Sequence, residues 1–453
     1  MPSFKIRPVK SIRGEISLAG DKSIAHRSIF ISAIAKGKTQ IYNFPASRDC
    51  LASLRAFRKL GVTISERGLS PYGLNISVAG RGIYGLKKPR SAIYAGESGT
   101  TFRLLSGLLS GQPFRASLTA GQSLSRRPMR RVTEPLRRMG AEIKARGARR
   151  TAHGATEDYP PMTIKGGRLR GITYRMPVAS AQVKSALLLA GLYAEGITRV
   201  IEPKITRDHT ERMLKDFGAD IGIKGKIIGV TGKKELISPG EIHIPADISS
   251  AAFFIVAAIL LPDSELIIKS VGLNPGRVGA IRVLRRMGAD IKIIPDESSA
   301  FGSEPAGDIV VKSGELAGVD IKSNEISQMI DELPVLMLAS CLARGRTVIY
   351  GAQELRVKET DRIFSMLTNL KKLGANIHVS GRTPKYARPQ EKIVIEGTSR
   401  LKGATVKSFS DHRTAMTMII AGLFSQGQTS IDDTACIAKS FPGFLEALKS
   451  LTL

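Results

Sequence analysis

Seven short stretches of this sequence combine Lys, Arg, hydroxyl and amide side chains with glycine, a mixture suited to capturing phosphate and carboxylate groups. Lys22, Ser23 and Arg27 lie in residues 20–27, GDKSIAHR. There, backbone N–H groups and two cations can converge on one anion as a helix opens. The same stretch also reads as a charged first turn facing water. Residues 96–103, GESGTTFR, put Gly99 where backbone can approach a ligand, or where small residues simply allow helices to pack. Residues 125–128, SRRP, supply Arg127; Ser180 and Gln182 head a further apolar run, as ligands or as a helix cap. Residues 355–362, LRVKETDR, are the densest stretch. Lys358 and Arg362 stand four apart and on a helix would share a face, which an anion or the interleaved Glu359 and Asp361 must offset. A solvated salt-bridge face meets that need equally well. Residues 410–413, SDHR, set Arg413 at a buried helix start, where a cation needs a partner, and residues 438–442, AKSFP, bring Lys439.

Other chemistries fit less well. GRGIYG at 80–85 matches GxGxxG, but LKKP follows it and no helix opens, so a dinucleotide site is not expected. His209 and His412 each follow an aspartate, yet there is no GxSxG elbow, no HExxH pair and no GxxxxGK[ST] loop. Cys50, Cys341 and Cys436 are odd in number and far apart, against a disulfide framework or a zinc site and in favour of a reducing compartment. The opening residues 1–7 hold no apolar core of a secretion signal, and the longest apolar stretch, 251–262, is too short to span a bilayer. A soluble cytoplasmic protein is expected. Its net charge of +29 attracts anions of some kind. Single-strand nucleic acid binders interleave stacking aromatics with their cations, whereas aromatics here are 5% and tryptophan is absent.

The elements that must position these residues repeat. Six apolar segments rich in small residues, 26–36, 101–110, 181–195, 249–261, 332–344 and 412–426, read as helices buried on all sides. Five are followed by a glycine stop and one by Pro262, and a β-like run comes next each time. A second, amphipathic helix then closes on LGV, MGA, FGA, MGA or LGA, at Gly61, Gly140, Gly218, Gly288 and Gly374. The spacings are 79, 78, 70 and 86 residues, which points to duplication of one unit. Six βαβ-type units, at 453 residues, suggest two domains of three units divided near 240–247, with ligands in the cleft between them. The first strand-like piece, 4–18, is a candidate to pair with the distant C-terminal half.

In order and spacing, the seven stretches resemble the 5-enolpyruvylshikimate-3-phosphate synthase family of enolpyruvyl transferases over residues 22–439. RVKETDR at 356–362 and SDHR at 410–413 are the specific signatures. The resemblance implies a two-domain, inside-out α/β barrel-like fold, each domain made of three βαβαββ units with buried helices. One discontinuous domain would hold residues 1–20 plus 245–453 and an inserted one residues 21–244, with the active site in the interdomain cleft.

The implied activity moves the enolpyruvyl (1-carboxyvinyl) group of phosphoenolpyruvate onto the 5-hydroxyl of shikimate 3-phosphate by addition–elimination, on the way to chorismate and the aromatic amino acids. Shikimate 3-phosphate is expected on Lys22, Ser23, Arg27, Ser180, Gln182, Asp331 and Lys358, and on Thr206, which stands where the family usually has serine. Phosphoenolpyruvate is expected on Lys22, Gly99, Arg127, Gln182, Arg362, Arg413 and Lys439, with the herbicide glyphosate as its competitor. Asp331 resembles the base for the 5-hydroxyl, and Glu359 and Lys22 the groups that move protons at the vinyl carbon. Each substrate carries about −2.5 to −3 charges, so a crowd of Arg and Lys is required. No metal or organic cofactor is called for, and a monomer without nucleic acid or membrane partners is expected.

Glu97 stands where the family usually has asparagine; it either faces the phosphoenolpyruvate loop or turns outward onto an arginine. The nearest rival is the enolpyruvyl transferase acting on UDP-N-acetylglucosamine, whose mobile loop carries a reactive cysteine; residues 120–131 here contain none. An RNA 3′-phosphate cyclase built from a similar unit, or a basic RNA-binding module, rests on net charge alone.

Overall fold

The computed structural model describes residues 3–70, 73–145, 149–150, 156–296, 304–381 and 391–452. Met1 and Pro2 of the opening segment lie outside these. The six apolar segments form the helices Lys22–Ile34, Gly99–Ser110, Ala181–Gly191, Ile248–Leu260, Leu333–Cys341 and His412–Gly422. Of the 13 residues of Ile248–Leu260, 12 are buried, as an all-round apolar helix requires. Buried hydroxyls are absorbed within the helices: Ser106 donates to the carbonyl of Phe102, Ser340 to Leu336 and Thr417 to Arg413, at 2.7–2.8 Å. Gly107 allows a close crossing, since a Cβ there would lie 2.1 Å from the carbonyl oxygen of Ala186 on the next buried helix.

Contacts divide the chain into two units. One, the terminal unit, holds 1–18, 245–299 and 305–453; the other holds 19–244 with 300–304. In the 19–244 unit, three four-stranded sheets share one plan. A short edge strand runs parallel to the strand that follows a buried helix, and two antiparallel strands complete the sheet. Thus Glu241–His243 pairs in parallel with Lys38–Pro45, Ile93–Tyr94 with Arg115–Thr119, and Thr173–Arg175 with Ile197–Ile201. The terminal unit repeats the plan with Arg13–Ile16 beside Glu265–Gly272 and Asp320–Ile321 beside Arg346–Tyr350. Its third sheet is cut short: Thr405–Val406 flanks Thr429–Ile431, and Phe4–Ile6 fills the other side, pairing Phe4 with Ile431.

The amphipathic helices end as the spacing implies. Gly61, Gly140, Gly218, Gly288 and Gly374 all have positive φ, between 77° and 112°, which stops a helix and turns the chain into a strand. Among the buried helices, Gly99–Ser110 stops directly at Gly111, as expected, but without a positive φ, and the first one stops differently. Lys22–Ile34 ends on an extended Ala35, and Gly37 (φ 93°) comes only afterwards, inside the turn to the strand. That glycine is a turn residue, not a helix cap. Among the described residues, no helix is long and apolar enough to cross a membrane.

Candidate active site

Lys22, Gly99, Gln182 and Arg413 stand at the starts of buried helices and Arg362 at the start of an amphipathic one, because the sequence places a capping side chain just ahead of each. Asp21 accepts from the N–H groups of Ser23 and Ile24, and Ser98 from that of Thr101. Asp361 accepts from Phe364, and Asp411 from Arg413 and Thr414. Ser180, read as ligand or cap, is a cap: its oxygen accepts from Val183 at 3.4 Å, which leaves the hydroxyl proton to be donated elsewhere.

In the 19–244 unit, Lys22 Nζ lies 2.6 Å from Asp49 Oδ2. Arg27 is almost fully buried. It donates to Thr210 Oγ1 at 2.6 Å, Ser185 Oγ at 2.7 Å and the carbonyl of Ser23 at 2.8 Å. Burial lowers its pKa to about 10, with the Glu211 carboxylate opposing that shift, so it stays charged at neutral pH. Arg207, which the sequence reading passed over, reaches Ser23 Oγ at 3.5 Å. The only local signal for it was its place next to Thr206.

A second group in this unit surrounds Gly99. A Cβ built there would meet Arg103 Nη1 at 2.7 Å and Arg127 Nη1 at 3.0 Å, so both guanidinium groups lie over the glycine. Gln182 accepts from Arg103 at 2.6 Å and donates to Thr100 at 2.9 Å. Arg103 was also missed, although it follows Gly99 by one helical turn. Glu97 is engaged by backbone and not by an arginine. Its carboxylate accepts from the backbone N–H groups of Ser123 (3.2 Å) and Leu124 (2.7 Å) and so braces the loop leading to Arg127. Thr206 points inward: its hydroxyl donates to the buried Glu202. A hydroxyl has one proton, so in this placement none remains for a phosphate.

In the terminal unit, three cations surround Asp331. Arg362 Nη1 is 3.3 Å, Arg413 Nε 3.7 Å and Lys358 Nζ 4.0 Å from its carboxylate, and Arg413 also donates to its carbonyl at 2.9 Å. Lys358 and Arg362 do not share a helical face. Residues Gln353–Val357 form a short 3₁₀ turn, Lys358 is extended, and Asp361 starts a new helix at Arg362. Arg356 pairs with Glu391 at 3.2 Å and braces Asp361 at 2.6 Å. Arg362 is buried, which weakens its hold on the proton, but Asp411 at 2.9 Å, with Asp331 and Glu359, outweighs that and raises its pKa.

Glu359 lies 3.1 Å from His412 Nδ1 and 3.9 Å from Lys439 Nζ, and Lys439 also donates to the carbonyl of Ser410 at 2.9 Å. Phe409 and Ser410 both take positive φ, 53° and 55°, to deliver this turn; such backbone costs about 1–3 kcal/mol per residue and tends to accumulate where function requires it. Glu359, Asp411 and His412 bring ligand-capable atoms within 4.8 Å of one another. Arg362 and Lys439 already engage those carboxylates, so the group acts as a charge network and not as a cation cage.

All three cysteines are buried, and burial raises each thiol to about 12. The native protein is therefore expected to resist a thiol reagent at pH 8 with full activity, and to react at three sites once unfolded. Rapid inactivation of the native protein would expose a reactive cysteine and overturn this.

A sequence model of EPSP synthase (3-phosphoshikimate 1-carboxyvinyltransferase) matches residues 6–448. The 3-phosphoshikimate 1-carboxyvinyltransferases of Geobacter metallireducens and Geotalea uraniireducens are 47% and 45% identical, over 100% of this chain and 99% and 100% of theirs. The solved EPSP synthase of Acinetobacter baumannii superimposes with a TM-score of 0.84 at 42% identity, covering 100% of this chain and 99% of that one. The enolpyruvyl transferase NikO of Streptomyces tendae, at 18% identity and TM-score 0.77, covers 99% of this chain and 97% of its own and shares the fold. With the family pattern running through the whole chain and full-length relatives close to half identical, this chain belongs to the EPSP synthase family, the 3-phosphoshikimate 1-carboxyvinyltransferases of aromatic amino acid biosynthesis.

Proposed function

We propose that the chain transfers the enolpyruvyl group of phosphoenolpyruvate to the 5-hydroxyl of shikimate 3-phosphate and releases phosphate, passing through a tetrahedral intermediate. The observation that carries this reading is the convergence of Lys358, Arg362 and Arg413 on one carboxylate, Asp331, with Glu359 and Lys439 beside them. Cations in excess of their carboxylate suit doubly anionic substrates, and a carboxylate among them suits a base. Protonation of the vinyl CH₂ of phosphoenolpyruvate makes its neighbouring carbon electrophilic. The 5-hydroxyl adds there as Asp331 takes its proton. Breaking the carbon–oxygen bond to phosphate, with loss of a methyl proton, restores the vinyl group. Glu359 and Lys22 exchange the proton at that carbon.

Lys22, Ser23, Arg27, Ser180, Gln182, Asp331 and Lys358 bind shikimate 3-phosphate in this reading. Arg207 joins them because it lies on Ser23, and Thr206 acts by fixing the turn that holds Arg207. Lys22, Gly99, Arg127, Gln182, Arg362, Arg413 and Lys439 bind phosphoenolpyruvate. The enzyme works as a cytoplasmic monomer. The test is phosphate release with phosphoenolpyruvate plus shikimate 3-phosphate, against UDP-N-acetylglucosamine as the alternative acceptor; release with the sugar nucleotide alone would sink the proposal.

Gly99→Ala tests the phosphoenolpyruvate half. The new methyl lies 2.7 Å from one guanidinium and 3.0 Å from the other, so both must move by a few tenths of an ångström. The expected result is a KM for phosphoenolpyruvate raised about five- to fiftyfold, with that for shikimate 3-phosphate changed less than about twofold. Equal effects on both would remove Gly99 from that subsite.

A further inference from the structure

Beneath the Ser23–Arg27 group lies a lysine that no step of the reaction uses. Lys184, on the buried helix Ala181–Gly191, has a side chain only 1% exposed. Its ammonium lies 2.5 Å from Glu211 and 3.1 Å from Glu202, both 2% exposed. Burying a lysine is costly unless it is paired, and removing one partner of such a cluster leaves an uncompensated charge in the interior. Two carboxylates on one ammonium are not balanced either. Arg27 supplies the second cation: its charge is coupled to Glu211, and its guanidinium bonds Thr210 and Ser185, the chain neighbours of Glu211 and Lys184.

Two routes lead from Lys184 towards the surface. Glu202 follows the strand Ile197–Ile201 and accepts from the Thr206 hydroxyl; Thr206 adjoins Arg207, and Arg207 reaches Ser23. Glu211 lies in the helix His209–Asp216, next to Thr210, which accepts from Arg27 at 2.6 Å. The turn between Glu202 and that helix has no regular structure of its own, and the Thr206–Glu202 bond ties it to the buried charges, beside surface bonds such as that of Lys226 to the carbonyl of Pro203. Gly99, Arg103 and Arg127 belong to a different helix and loop, and Arg103 meets the helix of Lys184 at Gln182, in its first turn.

We infer that Lys184 is a positioning residue for the shikimate 3-phosphate subsite, clamping Glu202 and Glu211 so that Arg207 and Arg27 stand at a fixed spacing around Ser23. The inference rests on the function proposed above and assigns to a fully buried residue the discrimination between the two substrates. Without the ammonium, Glu202 and Glu211 repel in a medium that already raises the Glu211 carboxyl by burial. The turn bearing Thr206 and Arg207 then loses its tie to the buried charges, and a spacing error of about 1 Å is enough to weaken a bidentate anion grip.

The experiment measures kcat and both KM values for wild type, Lys184→Met and Glu202→Gln, together with Tm. Lys184→Met is expected to raise KM for shikimate 3-phosphate by about tenfold or more, with KM for phosphoenolpyruvate and kcat within about twofold. Glu202→Gln keeps the contact with Thr206 and should show the same selective rise, but smaller. If Lys184→Met does not fold, Glu202→Gln decides alone. An unchanged KM for shikimate 3-phosphate, or a parallel loss towards both substrates that follows the fall in Tm, overturns the inference. A wild type that releases no phosphate with the two substrates would instead remove the proposed function, so the two failures are distinguishable.

Discussion

Asp331→Asn is expected to reduce kcat about 100- to 10,000-fold, the range a positioned base contributes, while both KM values stay near wild type or fall. The substitution keeps the size and one hydrogen-bonding oxygen of the side chain. The carbonyl that receives Arg413 at 2.9 Å is untouched. Arg362 keeps its buried partner Asp411 at 2.9 Å, so the cluster does not collapse when Asp331 loses its charge. Anion binding should not weaken, since one negative charge leaves a site built for anions. Glu332, the next residue, cannot take over as base, because it is buried against Ser249 and Arg277. The outcome that removes Asp331 from the chemistry is a kcat within about tenfold of wild type, which would leave it an orienting counter-charge for its three cations. Asp411→Asn serves as the contrast. Asp411 is fully buried, caps a helix and pairs with Arg362, so its loss should lower Tm as well as activity.

What could be read from the sequence was whatever a local pattern encodes. All-round apolarity marked the six buried helices, because an element without a polar face has nowhere to lie except inside. The MGA-type signatures marked the amphipathic helix ends, because glycine alone takes positive φ without cost. Capping residues placed Lys22, Gly99, Gln182, Arg362 and Arg413 at helix starts, since Asp21, Ser98, Ser180, Asp361 and Asp411 stand just ahead of them. What depended on pairs distant in sequence could not be read. Nothing near Lys22 announces Asp49, 27 positions away, and nothing near Thr206 says that its hydroxyl turns onto Glu202 instead of outward. The shared face of Lys358 and Arg362 was misread because an i, i+4 argument holds only inside one helix, and Asp361 starts a new one between them. Glu97 was misread for a related reason. A carboxylate near arginines suggests an ion pair, yet the backbone N–H groups of Ser123 and Leu124, where a short 3₁₀ turn opens, make the stronger claim on it.

Lys22→Met and Lys22→Arg should fail in different ways, and the difference tests whether Lys22 moves a proton or only holds charge. Lys22→Met removes the cation and strands the mostly buried Asp49 carboxylate, 2.6 Å from the missing ammonium. Turnover should fall about 1,000-fold or more, and both KM values should rise, because Lys22 is proposed to touch both substrates. The stranded carboxylate is relieved in the double variant Lys22→Met/Asp49→Asn, which should recover Tm without recovering turnover. Lys22→Arg keeps the positive charge beside Asp49 at the start of the helix Lys22–Ile34. A guanidinium does not release its proton near neutral pH, whereas an ammonium can be tuned to do so. Binding should then survive, with KM values within about fivefold, while kcat falls about 100-fold because the proton at the vinyl carbon has lost its exchange partner. An Lys22→Arg enzyme that turns over like wild type would assign the whole proton transfer to Glu359 and leave Lys22 as an anion grip. Its surroundings link two helix starts: the ammonium pairs with Asp49, and Ser53, one turn further along the helix of Asp49, lies 2.8 Å from the hydroxyl of Thr101, two residues beyond Gly99. In the proposed mechanism, a lysine anchored in this way keeps its ammonium at a fixed place, which a proton exchange at one carbon requires and a diffuse positive charge would not.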